Sequence, residues 1–349
     1  MKEKNTTLLL ERYSDICAAA GDEPVLRDAV RQDVAEIADE VSVNPLGNLT
    51  VTREGKNRDR SVLLSAHMDE VACIVRSIEK NGLIRFSAAG GIVPKLLPGN
   101  AVIIGRKRVP GVITCKSYHL MTSEEKKKAP VLKELFIDVG AGTKDDVNGI
   151  KPGDYVYFTS RFFVQNGKYF GKAFDDRAGC AALTEILHEY RSFPPEVTLL
   201  AVYTAQEEVG LRGAATAAFG YQNVLFNVNL EGTTCADREQ KKTYSPSTEM
   251  GRGPAVTFMD KTTITQRTLL DFVISVAERH SIPFQLKKTV SGGTDAGMIH
   301  LTEGGIPSVT VSLPVRDIHG PWGVVSEDDF THYLELAKAV IREAARFCG

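Results

Sequence analysis

The sequence predicts an α/β protein with a mixed, largely parallel sheet flanked by helices, into which a small β-barrel-like domain is inserted. Two observations support this prediction. Apolar strand-like runs alternate with helical patterns in both outer parts of the chain, and short β-rich runs punctuated by Gly, Pro and Asn lie between them. We therefore predict an α/β domain formed by residues 1–70 and 163–349, and an inserted β domain formed by residues 71–162.

Four apolar runs are the predicted central strands of the α/β domain. They are "SVLLSA" (61–66), "VTLLAVYT" (197–204), "VLFNVNL" (224–230) and "PSVTVSL" (307–313). The segments between several of them have helical periodicity, namely "DRAGCAALTEILHEYRS" and "QRTLLDFVISVAERH", and "SEDDFTHYLELAKAVIREAARF" closes the chain. Ser326 precedes acidic residues in that last segment and is a candidate N-cap.

Composition excludes several classes of function. The 349 residues are 43% hydrophobic and 25% charged, with a formal net charge of −2, so the chain lacks the basic surface expected for nucleic acid or an anionic membrane. The one basic run, Lys126 to Lys128, is interpreted as a solvated loop. No apolar stretch approaches a membrane-spanning length, and the first residues lack the apolar core of a signal peptide. We expect a cytoplasmic protein without nucleic-acid or membrane partners.

The cysteines support the same location. None of the six forms a CxxC pair, and a chain of this length does not need disulfides to stabilise its core. We expect reduced thiols at Cys17, Cys73, Cys115, Cys180, Cys235 and Cys348.

Polar side chains follow each of the four predicted central strands. Ligands of open α/β sheets bind beyond the carboxyl ends of the strands, so we expect these side chains to meet in one cleft. They are His67 and Asp69 after the first strand, Glu207 and Glu208 after the second, Glu231 after the third and His319 after the fourth, joined by Asp175 and Asp176 in a Gly-bounded turn before a helix.

A cluster of carboxylates at the edge of a core repels itself unless a cation lies among its members. Lysine and arginine do not recur beside these motifs often enough to neutralise them, so divalent metal ions are the better explanation. Histidine and carboxylate without thiolate suit Zn, Co or Mn, and a carboxylate that bridges two ions is typical of two-metal hydrolases. Of the adjacent pair Glu207 and Glu208, one would bind metal and the other would remain free to transfer protons.

Six segments, taken in order and spacing, resemble the M42 family of dinuclear metalloaminopeptidases. They are "SAHMDEVA", "GKAFDDRAGC", "AQEEVGLRGA", "LEGTTCAD", "SGGTDAG" and "PVRDIHGP". The resemblance covers nearly the whole chain, and members of the family are named glutamyl aminopeptidase or endoglucanase. It implies a zinc-peptidase-like fold, peptide substrates with a free N-terminus, two divalent metal ions per subunit, and a homo-oligomer, commonly of twelve subunits, assembled through the β insertion.

The resemblance also implies residue roles. The metal ligands would be His67 and Glu231 for one ion, Glu208 and His319 for the other, and Asp175 as the bridge. Glu207 would be the general base for a water activated by the two metals, and Asp69 would accept the other N–H of the His67 ring. The bond between Asp175 and Asp176 would be a cis peptide.

Two departures from the family pattern stand out. The third carboxylate ligand is usually aspartate, whereas this chain has Glu231, six residues before Asp237. The last motif reads "IHGP" where "HSP" is common. Neither change removes a ligand, although Glu231 could alter metal affinity or preference.

Each candidate residue also has an ordinary structural interpretation. Asp175 and Asp176 could cap a helix, and Glu207 and Glu208 could be first-turn acids. "SGGTDAG" could be only a turn; Asp295 within it is kept as a candidate for supporting the site or contacting substrate. Structural roles are expected for the other histidines, His119, His188, His280, His300 and His332.

Three other functions remain open at this stage. A related two-metal amidohydrolase or deacylase acting on small N-acyl compounds would use nearly the same metal site. A glycosidase would need two carboxyl groups in acid and nucleophile or base roles without metal. A catalytically silent scaffold is the third alternative, although neither a ligand position nor the base is missing.

Overall fold

The structure is a computed structural model that describes residues 2–238 and 247–347, with side chains from residue 7 onward. Its helices in these residues are α1 (Lys2–Asp15), α2 (Pro24–Val34), α3 (Phe174–Glu189), α4 (Ala214–Ala217), α5 (Arg267–Arg279), α6 (Ala296–Ile299) and α7 (Glu327–Glu343).

The strands form three sheets. In chain order they are β1 (Glu40–Val43), β2 (Leu49–Arg53), β3 (Asn57–His67), β4 (Ala72–Ile78), β5 (Ile84–Ala89), β6 (Ala101–Ile104), β7 (Val109–Thr114), β8 (Phe136–Asp138), β9 (Tyr155–Phe158), β10 (Phe163–Gln165), β11 (Lys168–Gly171), β12 (Val197–Thr204), β13 (Val224–Thr234), β14 (Ala255–Thr257), β15 (Gln285–Leu286), β16 (Ser308–Val315) and β17 (Gly323–Ser326).

The main sheet has eight strands in the order β1-β2-β12-β3-β13-β16-β14-β15. Its centre, β12-β3-β13-β16, is parallel and consists of the four strands predicted from the sequence. The strands β2 and β14 flank this centre in the antiparallel direction. All eight residues of β12 and of β16 are buried, because helices cover both faces of the sheet, which explains why these strands are continuous apolar runs.

Two helical layers enclose the sheet. The larger core contains residues of α1, α2, α3, α5 and α7, among them Leu10, Val30, Leu183, Val273 and Val340. The opposite face is covered by α4 and α6, which contribute Ala214 and Ile299 to a smaller cluster. The predicted mixed α/β sheet flanked by helices is therefore confirmed.

The β insertion is a closed six-stranded barrel in the order β4-β5-β8-β7-β6-β9, which confirms the barrel-like form expected from the sequence. It has its own core, which includes Ile84, Ile104, Ile113 and Val156. Closure pairs every strand on both sides, so the barrel has no free edge. A separate three-stranded sheet, β10-β11-β17, follows it.

One local feature differs from the sequence analysis. Ser326 precedes α7 with an extended backbone but makes no side-chain capping hydrogen bond; the helix begins instead with Glu327, Asp328 and Asp329, whose charges suit a helix N-terminus.

The cysteines in the described part of the chain are free thiols, namely Cys17, Cys73, Cys115, Cys180 and Cys235. Cys348 lies outside the described residues. Within the described part of the chain, the helices are all too short or too polar to span a lipid bilayer.

Candidate metal centre

The carboxyl ends of the four central strands bring the predicted site residues together. His67 is the last residue of β3 and pairs in register with Thr204, the last residue of β12, which leads to Glu207 and Glu208. Glu231 lies near the end of β13, and His319 follows β16. Because these strands are parallel neighbours, side chains distant in sequence share one edge of the sheet.

Three side chains form what we call the His67 cluster, which consists of His67, Asp175 and Glu231. The Nε2 atom of His67 lies 3.2 Å from Asp175 Oδ1 and 3.2 Å from Glu231 Oε1. Glu207 Oε2 is slightly farther from the same nitrogen, at 3.9 Å. The His67 side chain is only 1% exposed, so this cluster lies at the inner end of the site.

A second group, the His319 cluster, consists of Asp175, Glu208 and His319. The Nε2 atom of His319 lies 3.3 Å from Asp175 Oδ2 and 3.7 Å from Glu208 Oε1. The His319 side chain is 34% exposed, so this cluster is the outer one. Asp175 belongs to both groups through different oxygen atoms, which is the arrangement a bridging carboxylate requires.

The donor atoms of both clusters fit divalent metal ions. They are imidazole nitrogens and carboxylate oxygens without a thiolate, which suits Zn, Co or Mn. Glu208 Oε1 is buried and makes no hydrogen bond within the described chain, so a cation would supply its missing partner. In the described residues, neither lysine nor arginine forms an ion pair with the four carboxylates Asp175, Glu207, Glu208 and Glu231.

Burial perturbs the protonation of the acids. It raises the pKa of Glu208 to about 7 and that of Glu231 to about 8. Burial also raises the pKa of Glu207 well above its ordinary value, and the nearby Glu231 charge adds to the effect. Clustered carboxylates in a low-dielectric site therefore hold protons, and metal ions would displace these protons on binding.

The pKa values of His67, His319 and Asp175 shift in the direction opposite to the one that burial favours. Burial disfavours the charged forms of the histidines, but Glu207 and Glu231 raise the pKa of His67 well above its ordinary value, and a hydrogen bond to Asp175 raises that of His319 to about 9. Burial likewise opposes ionisation of Asp175, but the two histidines lower its pKa well below its usual range. Asp175 is therefore the carboxylate that remains charged.

Asp69 lies beside His67, but its side chain has another set of partners. The nearest acceptor for His67 Nδ1 is the backbone oxygen of Asp69 at 3.0 Å, whereas Asp69 Oδ1 is 3.6 Å away, too far for a good hydrogen bond. The Asp69 carboxylate accepts the backbone N–H groups of Glu207 at 2.9 Å and Glu208 at 3.0 Å. Asp69 therefore holds the turn that carries both glutamates.

Asp176 and the start of α3 fix the position of Asp175. The peptide bond between these two aspartates is cis, as the resemblance implies, and neither residue has helical backbone angles. Asp176 Oδ2 accepts the N–H of His67 at 3.2 Å, and its Oδ1 accepts the N–H of Gly179 at 3.0 Å. Behind Asp175, a Cβ on Gly232 would lie only 2.9 Å from the Cβ of Asp175, so a larger residue would displace the bridge.

The barrel contributes to the site through two glycines that follow β5. The carbonyl oxygen of Gly91 lies 3.1 Å from His319 Nδ1, which leaves Nε2 facing Asp175. A Cβ on Gly91 would lie 3.0 Å from that Nδ1, and a Cβ on Gly90 would lie 3.2 Å from Glu208 Oε2. Residues 90 and 91 therefore bring backbone closer to the His319 cluster than any side chain would allow.

Several residues around the site could not be recognised from the sequence. Gly91 carried no signal, because it lies in the insertion, far from every motif. Lys172 and Arg177 flank the aspartate pair, but both form buried ion pairs with Glu70, at 2.8 and 3.2 Å, rather than with the cluster acids. Asn229 donates to Glu231 Oε2 at 3.1 Å; the alternation of Asn227, Asn229 and Glu231 within an apolar strand was the available clue.

The remaining candidates lie outside the two clusters. Asp295 is fully buried and accepts a hydrogen bond from Thr204 beneath the turn that carries Glu207, so its position suits support of that turn rather than contact with substrate. Among the described residues, the groups with metal-ligand spacing contain His67 and His319 but not the other histidines.

The chain is similar along most of its length to proteins named aminopeptidases. The family model described as M42 glutamyl aminopeptidase matches residues 47–336. The glutamyl aminopeptidase of Lactococcus lactis subsp. cremoris is 28% identical, over 95% of this chain and 94% of that protein. The lysyl aminopeptidase of Pyrococcus furiosus is 26% identical, over 91% of both chains.

Solved structures share the fold along nearly the whole chain. A TET aminopeptidase from a marine sediment archaeon, Thaumarchaeota archaeon SCGC AB-539-E09, has a TM-score of 0.92 and 34% identity, over 97% of this chain and 96% of that one. The TET1 peptidase of Pyrococcus horikoshii, described as assembling into a tetrahedron or a large octahedral shell, has a TM-score of 0.85 and 28% identity, over 97% and 99%. A Thermotoga maritima protein named endoglucanase has a TM-score of 0.78 and 29% identity, over 96% and 97%.

Proposed function

The chain belongs to the M42 glutamyl aminopeptidase family, and on that premise we propose that it removes the N-terminal residue from peptides with two divalent metal ions and with Glu207 as the general base. Membership of this family makes it a hydrolase of peptide bonds. The observation that carries the two-metal proposal is the position of Asp175, whose two oxygens face different histidines at 3.2 and 3.3 Å.

The proposed ligands follow from the two clusters. His67 and Glu231 would bind one ion, Glu208 and His319 would bind the other, and Asp175 would bridge them. Zn, Co or Mn ions bound there would polarise the substrate carbonyl and lower the pKa of a water molecule.

Glu207 is the group best placed to move protons. It lies at the edge of the His67 cluster, with a side chain that is 12% exposed. Glu207, His67 and Glu208 also have the spacing of metal ligands, but Glu207 is farther from His67 Nε2, at 3.9 Å, than the proposed ligands Asp175 and Glu231, each at 3.2 Å. Its raised pKa suits a carboxylate that accepts a proton from the attacking water and then donates it to the departing amine. Asp69 would act as a positioning residue, because its carboxylate holds the backbone of both glutamates.

Substrates would be peptides with a free N-terminus, and the subunits would assemble through the barrel into a homo-oligomer such as a dodecamer. The assembled states described for the Pyrococcus horikoshii peptidase support this part of the proposal. The cytoplasmic location remains a prediction from composition.

The first test is hydrolysis of a panel of aminoacyl-p-nitroanilides after removal of metal and resupply of Zn, Co or Mn. The panel includes acidic and basic first residues, because relatives are named glutamyl and lysyl aminopeptidases. We expect metal-dependent activity from the wild type. In Glu207→Gln we expect unchanged metal content and turnover lower by about 10²- to 10⁴-fold, the usual contribution of general base catalysis.

The matched control is Glu196→Gln, the same chemical change at an exposed ion pair just before β12, at the opposite end of the strand that leads to Glu207. It should leave turnover unchanged. Full activity in Glu207→Gln would refute the assigned base. If the wild type instead cleaves only N-acyl amino acids, it is a deacylase, and chelator-resistant cleavage of a glucan would support the endoglucanase name of the Thermotoga maritima protein for this chain.

A further inference from the structure

A row of buried polar side chains leads from the inner core of the sheet to Glu231. Asn227, Asn229 and Glu231 alternate along β13, so all three face the same side of the sheet, and Ser65 lies beside them on the neighbouring strand β3. All four residues are at most 4% exposed. Polar groups in a central strand cost stability unless they are hydrogen-bonded, so this row requires an explanation.

The donor and the acceptor of each hydrogen bond in this row can be assigned, and they lead from Ser65 through Asn229 to Glu231. Ser65 Oγ lies 2.7 Å from Asn229 Oδ1 and 3.1 Å from Asn227 Oδ1. The Ser65 hydroxyl has one proton to donate, and Asn229 Oδ1 is the closer acceptor. With its oxygen bonded to Ser65, Asn229 must turn its amide nitrogen toward Glu231, and Nδ2 lies 3.1 Å from Glu231 Oε2. The row therefore ends on one particular oxygen of the proposed ligand.

The two oxygens of Glu231 have different surroundings as a result. Oε2 accepts the Asn229 amide at 3.1 Å, whereas Oε1 faces His67 Nε2 at 3.2 Å within the His67 cluster and accepts only the longer backbone N–H of Gly232, at 3.3 Å. A glutamate side chain has one more rotatable bond than an aspartate and needs an added restraint to present one oxygen in a fixed place.

We propose that Asn229 is a positioning residue that commits Glu231 Oε2 to the protein and leaves Oε1 as the metal-binding atom of the His67 cluster. This inference rests on the proposed function, since it assigns a role within the proposed metal site. The proposal also explains how this chain uses glutamate at position 231. An aspartate is one methylene shorter and would not reach both the Asn229 amide and the position facing His67. The buried Asn229 amide would then have no hydrogen-bond partner.

The test compares Asn229→Ala with Asn227→Ala in the full-length protein. Asn227 is the matched control, because it is an equally buried asparagine on the same face of β13 and contacts Ser65 but not Glu231. Metal-free protein is titrated with Co²⁺, followed by visible absorption and by competition with a chromophoric chelator, so that the two sites are measured without turnover. Thermal unfolding gives the stability of each variant.

We expect Asn229→Ala to weaken Co²⁺ binding at one of the two sites by about 10- to 100-fold, the usual effect of removing a partner that orients a ligand. The other site should keep its affinity. Asn227→Ala should lower the unfolding temperature in a similar way and leave both affinities unchanged. If Asn229→Ala fails to fold, Asn229→Ser replaces it, because serine keeps a polar group near Ser65 but is too short to reach Glu231.

The outcomes separate this inference from the proposed function. If the wild type binds fewer than two Co²⁺ ions per chain, the proposed two-metal function is wrong. If the wild type binds two ions but Asn229 variants bind both as tightly, or if Asn227→Ala weakens binding equally, the positioning role is wrong. Glu231→Asp provides an independent check: adding Asn229→Ala to it should cause little further loss, since the contact is already broken.

Discussion

The protonation of Glu208, Glu231 and His319 ties the stability of the chain to pH and metal. Each has a raised folded-state pKa, about 7, about 8 and about 9 respectively. The folded state therefore holds more protons than the unfolded state between about pH 5 and about pH 9, and the stability of the metal-free chain falls as pH rises through that range.

We expect the unfolding temperature of the metal-free chain to be lower at about pH 8.5 than at about pH 5.5, and the stabilisation by Zn²⁺ or Co²⁺ to be larger at the higher pH, where fewer protons compete for the ligands. Scanning calorimetry with and without metal measures both. Glu231→Gln, which removes one of these groups, should flatten the pH dependence. A metal-free unfolding temperature that rises across this range would contradict the assignment.

Among the elements of the fold, the segment after β5 links the barrel to the His319 cluster. Gly91 provides the backbone oxygen nearest His319 Nδ1, and this contact leaves no space for a side chain. We expect Gly91→Ala to displace the imidazole, because the new Cβ would lie 3.0 Å from Nδ1 and 3.3 Å from Cε1. Metal affinity and kcat/KM should fall by about tenfold or more, as is usual when a ligand loses its orienting partner.

The matched control for that prediction is Gly142→Ala. Gly142 lies in the same barrel, is exposed, and would place its Cβ no closer than 3.6 Å to any neighbour, the nearest atom being Asp146 Oδ2. Its substitution should leave metal binding and activity unchanged. Equal losses in both variants would mean that the barrel tolerates no substitution and that Gly91 has no particular role toward His319.

At the scale of the whole molecule, large apolar side chains are exposed to water on both the barrel and the α/β domain of a single subunit. Leu120 is 73% exposed on the barrel, and Phe219 is 75% exposed on the α/β domain. If the barrel mediates assembly, Leu120→Asp should shift the mass measured by light scattering toward smaller species, since burying an unpaired charge in an interface is unfavourable.

Phe219→Asp is the control for the assembly prediction, because it makes the same kind of change outside the barrel. It should leave the mass unchanged. A wild-type mass equal to that of one 38.1 kDa chain would refute the proposed oligomer, and dissociation by Phe219→Asp alone would place the interface on the α/β domain.

The architecture could be predicted largely from the sequence because its determinants are local. Continuous apolar runs identify β12 and β16 as strands covered on both faces, and polar groups of the site lie near or just beyond the carboxyl end of each central strand. Parallel strands place those groups at one edge of the sheet, so the convergence of His67, Glu208 and Glu231 follows from the order of strands and motifs.

The contacts that orient these groups were decided only by the tertiary structure. Ser65 and Asn229 are 164 positions apart, and Gly91 and His319 are 228 apart. The Asp69 carboxylate accepts the amides of Glu207 and Glu208, which are far away in the sequence, and not the ring of His67, which is only two residues away. Periodicity and motif spacing describe the residues within one segment, whereas these hydrogen bonds depend on how the strands, the turn after β12 and the inserted barrel pack against one another.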